Sequence, residues 1–283
     1  MTDQQILARP GEIAEDSKSL GLNIYAYEDD GTLQTVFSSP DMGQGPGAVA
    51  WLTGNFSGPA GAMQIAQLWD NGNLGLNVYG IHGFGFQTMF SAPDLGQGSG
   101  ALAFLTGDFL GFGNTQIAQL RDDNGTLELL IYGSTEGTPQ LYTDLDMDQG
   151  PAALAFLTGN FTGSGHTEIA QLWNNNGNLG LIIYGTVNGT PQTVDSDTDL
   201  FEGSGALAFL AGDFTRSGYT QIAQPWDNNG NLGLIIYGND GFSSVVAVAS
   251  SPDLGQGPGA LAWLAGTFVG PGVRALIAQP WDN

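Results

Sequence analysis

Tryptophan, aspartate and asparagine stand side by side at several places in this chain. Trp69-Asp70-Asn71, Trp173-Asn174-Asn175, Trp226-Asp227-Asn228 and Trp281-Asp282-Asn283 are the copies. A second polar stretch, Pro-Asp-Leu-Gly-Gln in its fullest form, follows each at a distance. It supplies Asp94 with Gln97, Asp199 with Glu202, and Asp253 with Gln256, while Asp41 and Gln44 match Trp281 from the other end of the chain. An indole face takes the C–H side of a sugar, and carboxylates and amides bind its hydroxyls. These types in this pattern predict a carbohydrate site. One copy departs, because Arg121-Asp122-Asp123, with Asp146 and Gln149, has no tryptophan. A structural reading stands beside this one. Tryptophan at a strand end also serves as core, and Asn-Gly or Asp-Gly can be turn chemistry alone.

Other chemistry is thinly supplied. There is no cysteine, so disulfides, thiolate metal sites and a cysteine nucleophile are excluded. His82 and His166 are the only histidines and sit at unrelated positions, so no Ser-His-Asp arrangement can be drawn. Aspartate is abundant enough for a glycosidase pair, yet the same polar set recurs along the chain. Repetition favours multivalent binding over one active centre. The expectation is a protein that is not an enzyme and uses no cofactor and no metal.

The elements that must position these residues are repeats. Ile-Ala-Gln begins at Ile65, Ile117, Ile169, Ile222 and Ile277, recurring every 52 to 55 residues. A tyrosine closes a Leu-Gly-Leu-Ile-Ile-Tyr-like run at Tyr25, Tyr79, Tyr132, Tyr184 and Tyr237. In the unit 206–251, four short apolar runs are bounded by Gly, Asn, Asp or Pro, as strands are. Asp227-Asn228-Asn229-Gly230 is a hairpin-turn signal between the second and third runs. The glutamine of Ile-Ala-Gln (Gln67, Gln119, Gln171, Gln224, Gln279) falls mid-strand, which predicts a hydrogen bond between neighbouring units.

Four strands per unit predict an all-β chain of four-stranded antiparallel blades, five in number, forming a five-bladed β-propeller. The chain begins and ends out of phase with its unit. Strands near Leu20–Tyr25 and Leu33–Phe37 supply what 260–266 and 276–281 lack, so the N-terminal strands are expected to join the C-terminal ones and close the ring. Residues 1–19 become an arm, and 20–283 a single domain. In a blade, the turn from strand two to three and the loop after strand four share a face. That geometry gathers the tryptophan turns and the aspartate loops.

The stretch Gly212-Asp213-Phe214-Thr215-Arg216-Ser217-Gly218-Tyr219-Thr220-Gln221-Ile222-Ala223, with its counterparts Gly159–Ala170 and Gly107–Ala118, resembles the FG-GAP (VCBS-type) propeller repeat. That resemblance implies an acidic calcium loop. Here Leu110, Phe112 and Gln116, or Thr215, Ser217 and Gln221, replace its later acidic positions, so a hard cation lacks ligands. Five near-identical units also resemble the tachylectin-2-type lectins, which implies multivalent sugar binding.

Charge limits the partners. Five Lys+Arg against 28 Asp+Glu leave a net charge of −23, which repels phosphate backbones and anionic lipid. Glycans are the expected ligands, with no nucleic acid and no membrane insertion, in a monomer or small homo-oligomer. An acidic scaffold for a basic partner is the alternative, and a single-site enzyme such as a glycoside hydrolase is a third reading. The polar start Met1-Thr2-Asp3 is no signal peptide pattern. The protein is expected to be soluble, and cytoplasmic or exported by a non-classical route.

Overall fold

The computed structural model describes residues 21–27, 33–39, 48–57, 63–70, 72–82, 85–95, 100–135, 138–147, 153–200, 205–239, 244–255, 257, 259–267 and 274–280. Among them there is no helix, and every sheet is antiparallel or a consecutive meander. The strands are β1 (Leu22–Tyr27), β2 (Leu33–Ser39), β3 (Ala48–Gly54), β4 (Gln64–Asp70), β5 (Leu74–His82), β6 (Gly85–Ala92) and β7 (Ala101–Gly107). Next come β8 (Gln116–Asp123), β9 (Thr126–Thr135), β10 (Thr138–Asp146), β11 (Ala155–Gly159), β12 (Glu168–Asn175), β13 (Asn178–Val187) and β14 (Thr190–Asp197). The last are β15 (Leu210–Gly212), β16 (Gln221–Asn228), β17 (Asn231–Asn239), β18 (Val245–Ser251), β19 (Leu264–Gly266) and β20 (Leu276–Ala278).

Within each sheet, every strand pairs with its neighbour in the chain. Four sheets have four strands, β3–β6, β7–β10, β11–β14 and β15–β18, while β1–β2 and β19–β20 form two-stranded sheets. The two middle strands carry the apolar weight. Gln116 to Leu120 of β8 is buried without alternation, and so is Leu179 to Gly185 of β13. Continuous burial of this kind needs packing on both faces of the sheet. The outer strands β14 and β18 are mostly exposed.

A tyrosine on the third strand reaches across to the glutamine of the second. Tyr79, Tyr132, Tyr184 and Tyr237 donate their hydroxyls to the Oε1 atoms of Gln67, Gln119, Gln171 and Gln224 at 2.8, 2.9, 3.0 and 2.9 Å. These bonds lie within a sheet, where the sequence pointed to bonds between neighbouring units. A buried amide oxygen needs such a partner. Just before the tyrosine, the register against the fourth strand shifts by one residue at Val78/Tyr79, Ile183/Tyr184 and Ile236/Tyr237. Each shift is a bulge that increases the local twist.

The chain divides into two compact units. One is built on Gly100–Gly133 with Leu141–Asn283, the other on Gln4–Ser99 with Ser134–Gln140. Inside the first, apolar clusters fill the spaces between successive sheets. Leu105, Leu127, Leu129 and Ile131 meet Ile169, Ile182 and Tyr184. Leu172, Leu179, Leu181 and Ile183 meet Ile222, Trp226, Ile235 and Tyr237. Backbone bonds repeat at the same level: Thr167 N to Asp108 O (3.1 Å), Thr220 N to Asn160 O (2.9 Å) and Ala275 N to Asp213 O (2.9 Å). In the second unit, Leu68, Leu74, Leu76 and Val78 are the buried centre of the β3–β6 sheet.

The expected closed five-bladed ring needs correction. The described pairings leave six separate sheets, and β1–β2 and β19–β20 do not merge into one. β19 and β20 are three residues each, which offers a partner only a short ladder. Trp281, which the closure would have used, lies outside the described residues.

Candidate functional site

The turns between second and third strands are built by their own polar side chains. Asn124, Asn176 and Asn229 take φ of 55°, 54° and 53°, and the glycine after each is also left-handed. Two residues of positive φ match the twist of the flanking strands. The residue that opens the turn then caps it. Asp122 and Asp227 accept at one carboxylate oxygen from Gly125 and Gly230 N, both at 2.7 Å, and Asn174 Oδ1 does the same from Gly177 N at 2.7 Å. Asp70 accepts from Gly72 N at 2.8 Å.

A second bond ties three of these turns to the loop after the fourth strand. Asn73 Nδ2 donates to Asp94 Oδ2 at 3.0 Å, Asn175 Nδ2 to Thr198 O at 2.7 Å, and Asn228 Nδ2 to Pro252 O at 2.9 Å. Backbone bonds from Leu95, Met147, Leu200 and Leu254 to Leu74, Leu127, Leu179 and Leu232 fix the same loops to the third strand. Asp70 therefore stands with Asp94, Asn174 and Asn175 with Asp199, and Asp227 and Asn228 with Asp253. Asp94, Asp199, Asp227, Asp253 and Asn174 are exposed. Asp253 also holds Gly255 N at 2.6 Å. Asn73 was not singled out in the sequence. Its only signal was its place beside the turn glycine.

The tryptophans are placed otherwise. Trp69, Trp173 and Trp226 sit directly across from Gly75, Gly180 and Gly233. A methyl group on any of these glycines would collide with the indole. Each ring thus lies flat on bare backbone. Trp226 is 9% exposed and belongs to an inter-sheet cluster, Trp173 is half-buried against another, and Trp69 is half-buried. In the copy without tryptophan, Arg121 faces Glu128 across the same two strands, and the two form an ion pair. The hydrogen bond to Glu128 raises the guanidinium's pKa further, against a smaller opposing effect of burial. An aromatic ring over glycine has been exchanged for a charge pair, residue for residue.

Part of the predicted set lies outside the described residues: Asn71, Gln97, Gln149, Glu202, Gln256, Asp41, Gln44, Trp281, Asp282 and Asn283, as does the side chain of Asp146. At the opposite end of the sheets, the loops that prompted the calcium comparison are filled by protein groups. Asp108 accepts from Phe112 N and Gly113 N at 2.8 and 2.9 Å, and Asp213 from Ser217 N and Gly218 N at 2.8 and 3.0 Å. Gln221 Oε1 accepts from Phe214 N and Thr215 N, both at 2.9 Å. Glu168 takes the same place against Thr162 N at 2.8 Å. In each of these two loops a strand-two side chain accepts from the loop's backbone.

No family model matches the chain, and no curated protein does. Solved structures similar to it include rhamnogalacturonan lyase YesW, with 13% identity and a TM-score of 0.46, over 81% of this chain and 57% of that one. Rhamnogalacturonan lyase PL11 of Bacillus licheniformis is similar at 14% identity and a TM-score of 0.46, over 82% of this chain and 57% of its own. The chain thus spans a little over half the length of either. Two expectations are corrected here. The likeness to FG-GAP repeats and tachylectin-2-type lectins does not hold, since no family model matches and the described sheets do not join into a closed ring. Both of these neighbours are named as enzymes, where the sequence led to the expectation of a protein that is not one. Among the described residues no helix is long and apolar enough to cross a membrane.

Proposed function

We propose that this protein binds carbohydrate through repeated acidic and amide turns at one end of its sheets. The observation that carries the reading is the asparagine bond from turn to loop, present in three sheets. It holds exposed carboxylates beside amides that are exposed at Asn73 and half-buried at Asn175 and Asn228, an arrangement suited to vicinal hydroxyls. The caps use one oxygen of Asp70 and Asp227 and leave the other to a ligand. The half-buried rings of Trp69 and Trp173 would contribute an edge, and Trp226 acts as support beneath its turn. Sites so alike would each bind weakly and gain through linkage.

Calorimetric titration with a panel of neutral and acidic oligosaccharides tests this. The expected outcome is a salt-insensitive hit with more than one site per chain. Asp227→Ala with Asn228→Ala should remove one site while circular dichroism stays unchanged. A folded protein that binds no member of the panel would overturn the reading.

A further inference from the structure

In one of the two units, three sheets meet their predecessors in the same way. The residue before Thr167 is His166, and its ring lies over Gly111, three positions after Asp108; a carbon added to that glycine would fall 2.5 Å from the ring. The residue before Thr220 is Tyr219, and its ring lies over Gly163, three positions after Asn160, with the corresponding distance 2.6 Å. The third junction is set by the same backbone bond, Ala275 N to Asp213 O, and by the contact of Ala275 with Gly212. There the residue before Ala275 is Arg274, and the residue three after Asp213 is Arg216. Where the sister junctions hold an aromatic ring on a glycine, the two equivalent positions here are both arginine.

Arg216 also keeps the backbone conformation that its counterparts meet with glycine. Its φ is 63°, beside 74° at Gly111 and 83° at Gly163. A long side chain in the left-handed region is unusual and marks a place to look for function. Both arginines are exposed, and neither has an ion-pair partner among the described residues. They are two of five cationic side chains in a chain of net charge −23. Arg274 also borders a cavity of about 410 Å³. The rest of its wall is nearly all apolar, with Phe214, Leu234, Ile236, Leu254, Trp263 and Ile277.

We propose that Arg216 and Arg274 form an anion-binding pair beside this cavity, and that the ligand is an amphipathic carboxylate. Two guanidiniums held together repel until an anion lies between them, and their fork of donors suits a carboxylate. The cavity offers apolar contact to the body of such a ligand and almost no acceptor for sugar hydroxyls. The two arginines belong to the loops at the other end of the sheets from the acidic turns, and the cavity runs from Arg274 toward Leu232 and Leu254 beneath the Asp227 turn.

The experiment titrates the full chain with octanoate, octan-1-ol and glucuronate by calorimetry. Octanoate should bind at least about tenfold more tightly than either of the others. Arg216→Gly with Arg274→Tyr restores the pairing of the sister junctions, so it should fold while losing about tenfold or more in octanoate affinity. Arg216→Gln with Arg274→Gln is the second variant and should lose as much. Equal binding of octan-1-ol and octanoate would remove the role of charge. Equal binding of glucuronate would remove the role of the cavity. Unchanged octanoate affinity in a folded charge-free variant, or no octanoate binding by the native chain, would overturn the proposal outright.

Discussion

A cross-strand glycine decides what its tryptophan can do. Because the indole of Trp173 occupies the space above Gly180, Gly180→Ala must push the ring off or bend the strand. It should destabilise the protein by about 1–3 kcal/mol, read from urea unfolding midpoints. Arg121 and Glu128 test the same position differently. Arg121→Ala leaves a buried carboxylate without its partner and should cost about 3 kcal/mol. Arg121→Trp with Glu128→Gly should recover most of that loss, with a coupling of about 1–3 kcal/mol in the double-mutant cycle. Arg216 gives the opposite sign. Arg216→Gly relieves a left-handed backbone and should raise stability by about 1 kcal/mol. A stabilising change that also weakens octanoate binding would separate fold from function at a single residue.

Among the elements, the second and third strands were the most legible. Their apolar runs are bounded by Asn-Gly turns, and the structure forms β16 and β17 around Asn229 and Gly230. First strands were harder to bound. The run 206–211 looks like a strand, yet β15 covers only Leu210–Gly212, and Ala206 makes an isolated bridge to Trp226. An outer strand has one partner, so its pattern says less about where pairing stops. The candidate site was half legible. Asp and Asn at the turns could be read because turn geometry selects them, and the loops they join follow from the order of strands within each sheet. The fate of the tryptophans could not be read, because burial depends on a glycine in another strand and on the sheet packed above it. The tyrosine–glutamine bond was missed for the same reason, since each partner looks like an ordinary strand residue alone. Tyr132→Phe leaves Gln119 Oε1 without that donor in a fully buried place. It should cost about 1–3 kcal/mol in thermal or urea unfolding.

At the scale of the molecule, charge is the dominant fact. A net −23 on 283 residues sets carboxylates against one another across the surface. Self-repulsion of that kind weakens a compact state, and salt screens it. Raising sodium chloride from about 0.02 to about 0.3 M should lift the melting temperature by a few degrees, measured by differential scanning calorimetry. The Trp–Gly and Arg–Glu pairs have a consequence for how such a chain can grow. Both members of each pair lie on one hairpin, β4–β5, β8–β9, β12–β13 or β16–β17. Copying or transplanting a whole hairpin carries the fit intact, whereas a crossover inside it strands an indole above a carboxylate or an arginine above bare backbone. The heritable module of this protein is therefore the inner hairpin, and chimaeras joined outside it should fold while those joined at its turn should not.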